Sequence, residues 1–119
     1  MKTLILGATT NETRYANIAT KRLLKYGHEV ALLGNKKGEV SGHEIMNEAK
    51  DVPKDIDTVT MYLGERNQTD YEDFILNLNP RRVIFNPGAE NTALSQKLRN
   101  QGIETLNACT LVMLSTNQF

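Results

Sequence analysis

The residues best equipped for chemistry sit in small polar clusters that follow apolar runs. Gly7-Ala8-Thr9-Thr10-Asn11 comes directly after Leu4-Ile5-Leu6. A glycine there lets the chain turn sharply, and the threonine and asparagine side chains offer hydrogen-bond donors. A helix beginning behind them would add unpaired backbone N–H groups and the positive end of its dipole. That combination suits a phosphate or pyrophosphate. Only the first glycine of the dinucleotide fingerprint GxGxxG is present, and a Thr or Asn at this point serves equally well as a plain helix N-cap.

A second cluster, Gly34-Asn35-Lys36-Lys37, follows Val30-Ala31-Leu32-Leu33. A site for NAD normally carries Asp or Glu here to hold the ribose hydroxyls. This chain has two ammonium groups instead, which favours a ribose bearing an extra phosphate, as in coenzyme A or NADP; an ordinary solvated turn is the plainer reading. Further polar clusters are Leu63-Gly64-Glu65-Arg66-Asn67-Gln68, Asn86-Pro87-Gly88-Ala89-Glu90-Asn91 and Asn107-Ala108-Cys109-Thr110. Cys109, the one cysteine, could attack a thioester only if a cation or helix N-terminus lowered its pKa, and free cysteines are commonly just small buried residues. Glu90 is the one carboxylate with the setting of a base, and a capping role in Glu90-Asn91-Thr92 suits it better. His28 precedes the second strand, at the opposite end from these loops, and His43 has no evident partner. No CxxC or Cys/His cluster offers a structural zinc site.

Positioning these clusters requires strands that all end on one side. Thr3–Leu6, Val30–Leu33, Thr58–Leu63, Arg82–Asn86 and Ile103–Leu106 read as strands from their apolar and β-branched runs. Helical spacing appears at Tyr15, Ile18, Ala19, Leu23 and Leu24, again over Thr69–Leu78 up to Pro80, and over Thr92–Asn100. Val40–Ile45 is irregular, Ile45–Ala49 predicts a short helix, and Leu111–Leu114 a last apolar turn. Strands and helices alternate with no hairpin dipeptide such as Asn-Gly between them. Alternation of this kind predicts an α/β fold, a doubly wound parallel sheet with helices on both faces. Ligands then sit beyond the carboxyl ends of the strands, where all five clusters fall.

The bulk properties agree with one domain. The chain has 119 residues, 39% hydrophobic and 24% charged, with Lys+Arg and Asp+Glu both at 14. A formal charge of zero provides no general field to attract nucleic acid or an anionic membrane. Leu4-Ile5-Leu6 is far too short for a signal-peptide core or a membrane span. A cytoplasmic location is the expectation.

The residues also carry a resemblance. Gly7-Ala8-Thr9 with Asn11, Tyr15-Ala16-Asn17-Ile18-Ala19 with Leu23-Leu24 and Gly27-His28-Glu29-Val30, Asp57-Thr58-Val59-Thr60-Met61-Tyr62 with Asn67-Gln68, Val83-Ile84-Phe85-Asn86-Pro87-Gly88-Ala89-Glu90-Asn91, and Ala108-Cys109-Thr110-Leu111-Val112-Met113-Leu114 fit one pattern. Together they resemble the small stand-alone CoA-binding domain proteins, which are similar in fold to the N-terminal, CoA-binding domain of the succinyl-CoA synthetase α subunit. The match spans essentially the whole chain. It departs from the family where many relatives have Asn-Pro after strand 2 and a proline after strand 3; this chain has Gly34-Asn35-Lys36 and Gly64-Glu65-Arg66.

The resemblance implies a single Rossmann-like domain over residues 1–119, a five-stranded sheet in order 3-2-1-4-5, and a CoA-type nucleotide lying across the strand ends. The pyrophosphate would rest near Ala8, Thr9, Thr10 and Asn11, with Asn17 on the facing helix turn. The adenosine phosphate would lie near Asn35 and Lys36, and Leu63 to Asn67 would border the pantetheine arm. Gly7, Arg14, Leu63, Asn86, Pro87 and Gly88 complete the candidate cofactor-binding set. The expected cofactor is coenzyme A or an acyl-CoA, ahead of NADP. No catalytic residue or metal ligand is assigned, since the histidine phosphorylated in the synthetases belongs to a separate domain. The expected function is a cofactor-binding module. A small enzyme acting on acyl-CoA or NAD(P) and a cofactor-sensing interaction protein are the alternatives, and a protein partner or a homodimer stays open.

Overall fold

The computed structural model describes all 119 residues, Met1–Phe119. Strand β1, Lys2–Leu6, lies at the centre of a seven-stranded sheet. On one side of it come β2, Glu29–Leu33, then β4, His43–Met46, and at the edge β3, Glu39–Val40. On the other side come β5, Ile56–Met61, β6, Arg82–Phe85, and β7, Glu104–Asn107. All pairings are parallel except β3 with β4.

The region 40–45 is not irregular, and Ile45 does not open a helix. Val40 and His43 pair across a two-residue turn, Ser41-Gly42, in which both residues have positive φ, 51° and 83°. A turn with both central residues left-handed matches the twist of a hairpin. The signal was the Ser-Gly dipeptide, weaker than Asn-Gly because serine adopts that conformation less readily. The hairpin returns β4 beside β2, with Leu32 opposite Ile45 and Leu33 opposite Met46. No α-helix intervenes, which is why this strand does not stand out in the alternation. Ala49–Asp51 is then a single 3-10 turn.

The strand order changes as a consequence. The strand containing Thr58 pairs with β1 rather than lying beyond β2. Counting only the parallel strands in chain order, the sheet runs 3-2-1-4-5-6, with β4 as the third. That is the doubly wound order whose switch point falls between the first strand and its fourth-strand neighbour. The Rossmann-like class is compatible with this sheet; the five-strand order is not.

The helices are α1, Tyr15–Lys25; α2, Glu65–Gln68; α3, Glu72–Leu78; α4, Thr92–Asn100; and α5, Thr110–Ser115. The helix expected over Thr69–Leu78 is divided. A 3-10 turn at Thr69–Tyr71 joins α2 to α3, and α3 ends at Asn79 in the left-handed conformation, just before Pro80. Alternation along the strands sends Leu4 and Leu6 of β1, Val59 and Met61 of β5, and Val83 and Phe85 of β6 to one core, shared with Ile75 of α3 and Leu94 and Leu98 of α4. Ile5, Val30 and Leu32 face the opposite way, packing with Ala16 and Leu23 of α1 and Leu114 of α5. The sheet is therefore covered on both faces, and its β-branched, leucine-rich strands read as continuous apolar runs for that reason. Each fully buried leucine or phenylalanine contributes about 1.5–3 kcal/mol.

Candidate functional site

The carboxyl ends of β1, β2, β5 and β6 open onto a cleft of about 1060 Å³. Its shape is set by how tightly the loops are tied to one another. Gly7 leaves β1 with φ +102°, and the N–H groups of Gly7 and Ala8 both donate to the Leu33 carbonyl at the end of β2, at 2.9 and 3.0 Å. Gly34 answers from β2. It is buried, and a Cβ there would run into the Ala8 carbonyl oxygen. The two strand ends can approach this closely only because that position lacks a side chain.

Within the first loop the polar side chains are largely occupied with the loop itself. Thr9 Oγ1 accepts from Asn11 N at 3.1 Å, and Asn11 Oδ1 accepts from Thr13 N at 3.0 Å and Thr13 Oγ1 at 2.7 Å. Asn17 is buried, and its Nδ2 donates to the Thr9 carbonyl at 2.9 Å. The helix behind the loop is not capped by any of them. Its N-cap is Arg14, in extended conformation and without a side-chain cap hydrogen bond. The plain N-cap reading of Thr or Asn at this helix therefore fails. The first turn keeps open N–H groups beside the cleft, with the dipole's positive end and the Arg14 guanidinium close by.

The remaining loops are tied together by side-chain amides, of which Gln68, Asn86 and Asn91 are buried and Asn47 is exposed. Asn47 Nδ2, on the strand-side loop after β4, donates to the carbonyls of Gly34 at 2.9 Å and Lys36 at 3.0 Å. Gln68 is fully buried and bridges two loops, its Nε2 donating to Leu63 O at 2.9 Å and Ala89 O at 2.7 Å. Its Oε1 accepts from Asn91 Nδ2 at 3.0 Å, while Asn91 Oδ1 caps α4 at Leu94 N. Asn86 Nδ2 donates to Thr60 Oγ1 and the Met61 carbonyl, and its Oδ1 accepts from Thr110 N at 2.8 Å. Buried amides satisfied in this way fix backbone carbonyls that would otherwise be orphaned.

Of the residues singled out from the sequence, Gly7, Ala8, Thr9, Thr10, Asn11, Arg14, Asn35, Lys36, Leu63 and Pro87 line this one cleft. Asn17, Asn86 and Gly88 do not. The first two lie beneath the surface as braces, and Gly88 is exposed, with its N–H donating to Glu90 Oε1 at 2.9 Å. Glu90 is thereby engaged with its own loop. Lys37 borders a neighbouring shallow depression. Cys109 is half-buried as the N-cap of α5 and is not among the lining residues. His28 packs at the far end of the strands against the Phe119 ring, with centroids 5.0 Å apart. No group of three or more His, Cys, Asp or Glu could hold a metal ion, and no helix is long and apolar enough to cross a membrane.

Sequence reasoning missed Tyr15, Tyr62, Asp70 and Tyr71, which also line the cleft. Asp70 and Tyr71 fall in the helix expected over Thr69–Leu78; in the 3-10 turn at Thr69–Tyr71 Asp70 is exposed, while Tyr71 is half-buried against the core. Tyr62 has its hydroxyl buried among Thr60 and Thr110, but those two hydroxyls bond to each other at 2.8 Å, and Tyr62 Oη completes no hydrogen bond of its own. Burial pushes its phenol up to about 12. Its side chain lines the cleft while its hydroxyl is buried.

The model of the CoA binding domain family matches residues 1–115. The chain is similar to a protein described only as uncharacterized, whose crystal structure it matches at 52% identity, TM-score 0.96, covering 99% of this chain and 97% of that one. A hypothetical protein from Pyrococcus horikoshii OT3 matches at 25% identity and TM-score 0.86, over 97% of this chain and 81% of the other. At 17% identity the fold alone is shared with a Ca. Korarchaeum cryptofilum dinucleotide forming acetyl-coenzyme A synthetase 1, with TM-score 0.72 over 90% of this chain and 25% of that one. A comparison with curated proteins finds no match. With a family model spanning nearly its whole length and a close structural relative on the same fold, this chain belongs to the CoA binding domain family.

Proposed function

We propose that the protein binds coenzyme A or an acyl-CoA in the cleft at the strand ends and holds it without transforming it. The observation that carries this reading is the uncapped start of α1 behind the Ala8–Asn11 loop. Its open N–H groups and the adjacent Arg14 make an anion site in the strand-end cleft of a chain belonging to the CoA binding domain family. The pyrophosphate rests there. The adenosine phosphate lies toward Asn35 and Lys36, on the loop that has no carboxylate to receive an unmodified ribose. The pantetheine arm runs along Leu63 toward Pro87. Asn17 and Asn86 brace the loops from below and do not touch the ligand. No histidine or cysteine lines the cleft, so neither the usual acid–base side chain nor a thiol nucleophile is at hand.

A thermal-shift panel with CoA, dephospho-CoA, NADP, NAD and ATP tests the reading. CoA at a hundredfold excess over its dissociation constant adds about 2.7 kcal/mol, a rise of roughly 10 °C for a domain of this size. Dephospho-CoA, lacking the 3′-phosphate, gives a smaller rise at equal concentration, and NAD the least. No rise with CoA defeats the proposal; a larger rise with NADP than with CoA reassigns the cofactor.

A further inference from the structure

The charges lining the cleft are not mixed. Its two cations, Arg14 and Lys36, belong to the loops after β1 and β2. The single carboxylate among the lining residues, Asp70, belongs to the segment after β5. In the sheet these strands run β2-β1-β5-β6, so Asp70 lies one strand spacing from the Arg14 loop and two from the Lys36 loop, roughly 5–10 Å along the sheet. Asp70 is exposed and takes part in none of the chain's ion pairs. Arg66, four residues earlier and its nearest cation in sequence, does not line the cleft. The other polar groups at this end, Asn67 and the Tyr71 phenol, are neutral.

From this distribution we infer that Asp70 makes the cleft selective for CoA thioesters with uncharged acyl groups and against those whose acyl chain ends in a carboxylate. The inference rests on the proposed reading of the cleft. If the phosphates occupy the cationic end, the pantetheine arm extends past β1 toward β5 and β6, and its thioester approaches the Asn67–Asp70–Tyr71 segment. An acyl carboxylate arriving there meets a fixed negative charge, and the cleft's two cations are already engaged by the phosphates. Selectivity of this kind comes from a repulsive element, not from added affinity for the preferred ligand.

Butyryl-CoA and succinyl-CoA share a four-carbon acyl chain and differ in the terminal carboxylate, so competition against bound CoA compares them directly. The wild-type chain binds butyryl-CoA more tightly by roughly three- to tenfold at low ionic strength, as expected of an exposed like-charge pair, and the ratio narrows with added salt. Asp70→Asn brings the ratio to about one, and Asp70→Lys reverses it. Asp73→Asn, the same charge change on exposed α3 outside the cleft, leaves the ratio at its wild-type value. Equal affinities in the wild type, or a preference that survives Asp70→Asn, overturns the inference while CoA binding itself stands. Failure of every CoA ligand to bind overturns the reading of the cleft, and the inference with it.

Discussion

Gly34 and Ala8 meet backbone to backbone at the ends of β2 and β1, closely enough that a Cβ on Gly34 would press into the Ala8 carbonyl oxygen and also crowd Ile45. The contact is between main-chain atoms on both sides, so no flexible side chain can yield. Gly34→Ala is expected to displace the first loop and lower stability by about 1–3 kcal/mol, as overpacking does. Chemical denaturation measures the loss. The thermal response to CoA should weaken beyond what that loss of stability explains. Unchanged stability would mean that the loops tolerate a wider spacing.

Gln68 carries the connection between the segments after β5 and β6. Replacing it with Leu keeps the volume but strands the Leu63 and Ala89 carbonyls and the Asn91 amide, all of which it now satisfies. A cost of about 2–4 kcal/mol is expected in urea unfolding, because unsatisfied buried groups are expensive. Gln68→Glu is expected to be damaging as well, since the carboxylate cannot donate to the two carbonyls. A variant with Leu at 68 as stable as the wild type would show that the bridge is dispensable.

Lys36 and Arg14 are expected to separate by ligand. Lys36→Ala should weaken CoA more than dephospho-CoA, because it acts on the phosphate that distinguishes them. Arg14→Ala should weaken both alike, since both carry the pyrophosphate. Losses of about tenfold fit removal of one charge-assisted contact. Isothermal titration of the two variants with the two ligands yields the four constants, and an identical pattern for both substitutions contradicts the assignment of the cleft's two ends.

His28 links the chain's termini to pH. Burial foremost, then the N-terminal ammonium and the Arg82 guanidinium, hold its imidazole below the ordinary histidine value. The Phe119 ring packs on it edge-on and also covers the Arg82 guanidinium, 4.4 Å from the ring centroid. A folded-state pKa below the unfolded one means that the folded protein binds fewer protons in between. Stability is therefore complete above the unfolded value near 6.5 and falls as pH drops through the lowered folded one. Melting temperatures between pH 7.5 and 5 should decline, and His28→Gln should flatten that decline. The Asp57 carboxyl, lowered by its hydrogen bond to Arg81, adds a loss of the same sign only at more acidic pH.

Much of this protein is written in local sequence. The five expected strands and the helices at Tyr15–Lys25 and Thr92–Asn100 follow from runs and spacings that bury one face or two, and pattern alone reports them. The clustering of Gly7, Thr9, Asn35, Leu63 and Pro87 around one cleft follows as soon as the strands are taken as parallel, because parallel strands bring all their following loops to one edge. Tertiary structure alone decided where β4 lies, since no helix sets it off from β2, only Ile45 of its residues is buried, and its place comes from pairing with β2. It also decided that Asn17 and Asn86 brace the loops instead of lining the cleft, and that Gln68 and Asn47 hold carbonyls from distant loops. An amide's role depends on which donors and acceptors the fold leaves within 3 Å of it, and that is a property of the assembled sheet, not of the residues beside it in the chain.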